Sequence, residues 1–373
     1  MIRISLFVLC AFWTFAHIKV EQARFRPFQI SITGQAELCP IILEDLELSG
    51  VFKSAQPSSA EAQIEISSDP QSIRVKAQNK LFRYQSPASR QLAHRIASDL
   101  YKLFTGEPAF FNSKIVASNE KKQIILLDFD GENPKPITTH PSINILPIFS
   151  PNGQEIAFTS YARNNPDLYS IRTDRSHLRI LSNRPGINSG ASFSPNEQEI
   201  ATTLSYEGKS DIYLMDTQGQ NLRKLTSGFS INTSPSFSPD GKQIAFVSNR
   251  SGNPQIYTMH QDGSHIKRIT WQGKYNQSPK WSPLGDQIVF TGRDEQKNFD
   301  VFLVNVQSGR VTRVTQDQGR NDEASFAPNG RMLVFASTRN GGRDLFISNL
   351  DGTFQKQITR GVQYWTPSWG PNL

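Results

Sequence analysis

The chain has 373 residues, 37% hydrophobic and 20% charged, with 24 Phe and 9 Tyr to build a core, and that length predicts two domains. Two cysteines and six scattered histidines exclude a disulfide-stapled scaffold and a thiolate-rich metal site. Forty basic residues against 33 acidic ones give +7 with no Lys/Arg run, which argues against a nucleic-acid partner.

Residues 1–16 place Arg3 ahead of an apolar run that closes at Thr14-Phe15-Ala16. This is the pattern of a Sec-type signal peptide cleaved after Ala16, too short to span a bilayer. Leu9 stands before Cys10 where lipoprotein processing needs a small residue, so no lipid anchor is expected. Later stretches are too short for a span, so the mature chain is expected to be exported and not membrane-embedded. Cys39 is its one thiol, read as packing, with intermolecular pairing the alternative.

Residues 17–108 predict a small α/β domain. Pro40 to Gly50 reads as a short helix closed by glycine. Strand-like runs follow near 63–67, 72–77 and 80–86. A second helix starts with Ser89 as N-cap, carries Leu92, Ile96, Leu100, Leu103 and Phe104 on one face, and stops at Gly106.

From residue 109 to 373 one phrase recurs: Phe149-Ser150-Pro151, Phe193-Ser194-Pro195, Phe237-Ser238-Pro239, Trp281-Ser282-Pro283, Phe326-Ala327-Pro328 and Trp369-Gly370-Pro371. The aromatics stand 44, 44, 44, 45 and 43 residues apart. Each phrase leads through a turn such as Asn152-Gly153, Asp240-Gly241 or Asn329-Gly330, whose residues accept positive φ, to an apolar run such as Ile244-Ala245-Phe246. A second run such as Gln255-Ile256-Tyr257 and a basic-flanked third such as Ile266-Lys267-Arg268 follow. Runs this short, broken by Gly, Asn and Asp, are strands, and four per unit at this period make a propeller blade. Lys114–Ala117 and Gln123–Leu127 match second and third strands with no phrase before them. The segment around Trp369 is therefore expected to complete that first blade and close a six-bladed ring, with the phrase aromatics packed between blades.

The usual catalytic, phosphate-binding and metal-binding motifs do not occur, so neither an enzyme nor a cofactor is expected. A propeller hydrolase or peptidase-associated propeller, and a propeller binding sugar or peptidoglycan, are the alternatives. The sequence stops two residues after Pro371, so no downstream hydrolase domain is expected. Five residues before each aromatic stand Asn144, Asn188, Asn232, Asn276, Asn321 and, departing, Tyr364 beside Trp365. These positions lead into the innermost strand at the mouth of the channel. Either the asparagines cap their own loops, or they form a polar rim for a partner with Tyr364 and Trp365 as aromatic anchors.

The layout resembles the TolB family, exported propellers of the bacterial Tol–Pal system. The likeness rests on the six phrases, on Asp45-Leu46, Ser49-Gly50-Val51-Phe52, and on the junction Ala97-Ser98-Asp99, Phe104-Thr105-Gly106, Ala109-Phe110. It implies a monomeric, non-enzymatic periplasmic adaptor serving outer-membrane invagination at cell division and envelope integrity. The implied partners are the peptidoglycan-associated lipoprotein Pal at the propeller mouth, on Asn188-Ser189-Gly190 and Asn232-Thr233, and TolA at the N-terminal segment. Residues 17–23 do not match the family's TolA-binding segment.

Overall fold

The computed structural model describes residues 26–34, 37–69, 71–85, 87–293 and 298–373. The expected signal peptide and its cleavage site lie outside them.

The N-terminal unit is a five-stranded sheet with two helices. Its elements are β1 (Phe28–Gly34), α1 (Cys39–Leu48), β2 (Phe52–Ser54), β3 (Ala62–Ser68), β4 (Ile73–Ala77), β5 (Lys80–Tyr84) and α2 (Arg90–Thr105). The sheet order is β2-β1-β3-β4-β5, with β1 parallel to both its neighbours and the rest antiparallel. Ile64, Ile66, Ile73 and Val75 alternate inward under α2, which buries Leu92, Ile96, Leu100 and Phe104. The Ser89 hydroxyl accepts from the Leu92 amide, and Gly106, at φ 75°, ends the helix by donating to Lys102. Cys39 opens α1, half-buried against the same core.

Six four-stranded antiparallel blades follow. Five have consecutive strands, and their innermost ones are Asn144–Phe149, Asn188–Phe193, Asn232–Phe237, Asn276–Trp281 and Asn321–Phe326. The first blade is composite. Its inner strand is Tyr364–Asn372, paired to Ser113–Asn119, then Ile124–Asp128 and Lys135–Pro136. The ring therefore closes with one strand from the chain's far end, as the repeat count requires.

The blades bury their faces against their neighbours around the ring. Phe193 packs with Ala157, Leu168 and Ile200, and Phe237 with Ala201, Leu214 and Phe246. The serine of the phrase turns the chain: Ser150, Ser194 and Ser238 accept from the amides of Glu155, Glu199 and Gln243 at 2.9–3.0 Å. One residue in each turn takes positive φ, Gly153 at 71°, Glu197 at 59° and Gly241 at 72°. The preceding Asn152 and Asp240 contribute side-chain acceptors for the serine hydroxyl instead.

One continuous core joins the N-terminal unit to the first and sixth blades. Phe110, Phe111, Phe129, Tyr101 and Trp369 meet there edge-on or tilted, with ring centroids 4.8–6.4 Å apart.

Candidate functional site

The innermost strands line a central channel, and each is bent in the same way. Two residues after the strand start stand Leu146, Gly190, Ser234, Ser278, Glu323 and Thr366, all left-handed with φ of 50–59°. The ladder slips at the same place in every blade. Five of these six residues carry a side chain, at a cost of about 1 kcal/mol each. The surrounding ring compensates: the Ser234 and Glu323 amides donate to Thr203 Oγ1 and Thr291 Oγ1 of the preceding blade, and the Thr366 amide to Glu323 Oε2. Prolines follow at Pro147, Pro235, Pro279 and Pro367. A proline inside an inner strand signals such a bulge, and this signal went unused in the sequence reading. The bulges aim residues 146–148, 189–191, 233–235, 278–280, 323–324 and 366–368 at a cavity of about 100 Å³.

The five asparagines do not face this space. Asn144, Asn188, Asn232, Asn276 and Asn321 are 0–2% exposed. Asn232 Nδ2 donates to Asp211 Oδ1 at 2.8 Å, Asn276 Nδ2 to Gln255 Oε1 at 2.9 Å, and Asn321 Nδ2 to Asp300 Oδ1 at 2.9 Å. Threonines two residues past the outermost strand complete each cluster, Thr226 on Asp211, Thr270 on Gln255 and Thr315 on Asp300. Asn188 and Asn144 hold loop carbonyls instead. Asn232, Asn276 and Asn321 also donate to the Ser230, Gln272 and Gly319 carbonyls of their own loops. Tyr364 takes the same buried position at 5% exposure, which removes its ring as an exposed anchor. Trp365, Gly190 and Thr233 remain partly open, and Lys122 and Arg343 sit 4.0 and 5.9 Å from the Trp365 ring.

What the mouth presents is the residue one place earlier. Ile143, Ile187, Ile231 and Tyr275 are 37–52% exposed on four consecutive blades, and Arg320 and Gln363 complete the circle. Phe229 at 99% and Trp271 at 72% rise from the adjoining loops, with Lys209 and Arg268 4.8 and 4.5 Å from their rings. An apolar or aromatic residue directly before four of the five asparagines is the signal of this arc in the sequence at the 44-residue period.

A second polar cluster lies where the two units meet. His94 of α2 holds Asp45 of α1 through Nδ1 at 2.7 Å, and its Nε2 is 3.8 Å from both Asp128 and Asp130 of the first blade. Arg90 pairs with Asp130, and Lys114 with Asp128. Three carboxylates thus face three basic groups. Burial pulls the imidazole down, but Asp128 and Asp45 outweigh it and hold it up at about 9. Burial raises Asp45 to about 6 against the pull of His94.

The family model described as the TolB beta propeller domain matches residues 101–373. The chain belongs to the TolB family. It is 44% identical over 297 residues to the Tol-Pal system protein TolB of Anaeromyxobacter sp. (strain K), spanning 78% of this chain and 68% of that one. Against the crystal structure of TolB from Acinetobacter baumannii the TM-score is 0.83 at 24% identity, over 93% of this chain and 97% of that chain, a likeness of fold. The chain also overlays one of the nidogen/laminin complex, with a TM-score of 0.57 at 11% identity over 70% of this chain and 99% of the other. Propeller shape is thus shared far beyond the TolB family. Among the described residues, no helix is long and apolar enough to cross a membrane.

Proposed function

We propose that the chain is a non-enzymatic periplasmic adaptor of the Tol–Pal system. A Pal-type outer-membrane lipoprotein docks on the propeller mouth, and the complex supports outer-membrane invagination at cell division and envelope integrity. The observation that carries this reading is the exposed arc of Ile143, Ile187, Ile231 and Tyr275, topped by Phe229 and Trp271. Aromatic and aliphatic anchors fixed on a rigid ring and edged by Arg and Lys are the composition of a protein-binding hot spot. The lining of the cavity behind it supports an adaptor over a hydrolase. It offers Ser and Thr hydroxyls, Lys280 and Glu323, and that carboxylate is held by Arg343 and the Thr366 amide rather than by one of the hydroxyls as in a nucleophile–base pair. TolA engagement through the segment before residue 26 belongs to the same reading.

Calorimetry with the mature protein and the soluble domain of its cognate Pal tests this. Saturable binding is expected, weakened at least tenfold by Trp271→Ala. Absence of binding, or binding unaffected by both Trp271→Ala and Phe229→Ala, overturns the assignment of the mouth.

A further inference from the structure

Lys280 breaks a pattern. Four residues after the start of each inner strand the ring carries Ile148, Ser192, Ser236, Lys280, Ser325 and Ser368. Three of the serines tie adjacent blades together: Ser192, Ser236 and Ser325 accept from the amides of Phe237, Trp281 and Trp369 at 3.0–3.1 Å. A lysine in that place offers no hydroxyl to the sixth blade and puts a cation inside the channel instead.

Its position is central. Lys280 lines both the cavity at the mouth and the one that opens between Phe149, Phe193, Phe326 and Trp369 at the opposite end, so it stands at the waist between them. Burial alone pushes its ammonium down to about 8, and no carboxylate offsets that burial. The nearest acidic candidate among the lining residues, Glu323, already accepts from Arg343 and the Thr366 amide. The rest of the wall at the mouth is Leu146, Ile148, glycine, prolines, alanines and hydroxyl groups. Half-buried in a narrow channel and without a carboxylate partner, this cation favours an anion more than one at the surface does, because low-dielectric walls focus its field.

We propose that the channel is a binding site for a carboxylate group, ion-paired with Lys280 at the waist and hydrogen-bonded by the surrounding hydroxyls. This reaches beyond the docking of a protein on the mouth and does not depend on it. The carboxylate comes either from a free small acid or from an acidic side chain of a segment inserted through the mouth. Ser189, Thr233, Ser234 and Ser278, which line the mouth cavity, supply donors for its second oxygen.

The test uses the full mature protein with 13C-labelled lysine, following the Lys280 ε-methylene signal. Succinate serves as the small acid and a hexaglutamate peptide as the inserted segment. A saturable shift of the Lys280 signal in wild type, with the affinity measured by calorimetry falling at least tenfold in Lys280→Met and retained in Lys280→Arg, supports the site. A response to succinate assigns a free acid, and a response to the peptide alone assigns an inserted segment. An unmoved Lys280 signal with both probes, or equal affinity in wild type and Lys280→Met, overturns it. Equal thermal midpoints of the variants and wild type show that the loss is not one of folding. Because Pal is absent from every arm, failure here leaves the mouth assignment standing.

Discussion

Trp369 and Ser113, 256 residues apart in the chain, are joined by a 2.7 Å hydrogen bond from the indole Nε1 to the serine hydroxyl. The bond lies where the last strand zips onto the first blade, and the indole also meets Phe110 at 5.4 Å, edge to face. Trp369 thus serves ring closure and domain docking together. Trp369→Ala removes a ring that is 7% exposed and should cost about 3–5 kcal/mol. Trp369→Phe keeps most of the packing and loses the bond, costing about 1 kcal/mol plus a small cavity. Urea unfolding checks both. Equal midpoints for Ala and Phe would mean that the closing strand adds little to stability.

The junction cluster predicts a pH dependence. His94 is raised from 6.5 to about 9 in the folded protein, so its contribution is complete below pH 6.5 and lost as pH rises through 9. That contribution is about 2–3 kcal/mol. Asp45, raised to about 6, contributes at low pH and has lost its share by neutrality. Asp128, held below the usual carboxylate range, contributes above that range and loses its share on acidification. Lys280, lowered to about 8, acts in the opposite sense to His94, but only above its own value. Between pH 6.5 and 8 the fall in stability therefore belongs to His94. Denaturant midpoints measured across that window should decline in wild type and stay flat in His94→Gln. A parallel decline in both would assign it elsewhere.

The blade count, the composite first blade and α2 were legible because each is written in a local pattern: a 44-residue period, a missing phrase, a cap and an apolar stripe. β2 is three residues long and pairs in parallel across α1, which leaves no mark in the sequence. β1 alternates Phe28, Ile30 and Ile32 and was open to reading. The asparagines point to a rim only if polarity is taken as exposure. For Asn232, Asn276 and Asn321 the burial depends on partners 21 residues upstream, Asp211, Gln255 and Asp300, whose own recurrence carried the signal.

The ring of left-handed residues predicts unequal effects of one substitution at equivalent places. Gly190 is the one member without a side chain, and a Cβ there would meet nothing nearer than Thr203 Oγ1 at 3.6 Å. Gly190→Ala should therefore cost only the backbone term, about 1 kcal/mol. Ser278→Gly relieves the same strain but adds chain entropy to the unfolded state, so it should fall within about 0.5 kcal/mol of wild type. Thermal unfolding of the pair separates strain from contact. A loss above about 3 kcal/mol for Gly190→Ala would show that the bulge is fixed by packing at that site.

Asn232 and Trp271 should dissociate stability from binding. Asn232 is fully buried, with Nδ2 on Asp211 and Oδ1 receiving Arg250 at 3.1 Å. Asn232→Ala leaves the guanidinium one acceptor short and Asp211 one donor short, which should cost about 1–3 kcal/mol of folding free energy. Asp211 keeps Thr226 and Lys224, so the blade should hold and affinity for a mouth-bound partner should change less than threefold. Trp271 is 72% exposed, so Trp271→Ala should leave the unfolding midpoint within about 0.5 kcal/mol of wild type while weakening the partner at least tenfold. Unfolding and calorimetry on the same two proteins read out both quantities. If Asn232→Ala weakened binding tenfold at unchanged stability, the asparagines themselves, and not the apolar arc before them, would be what the partner meets.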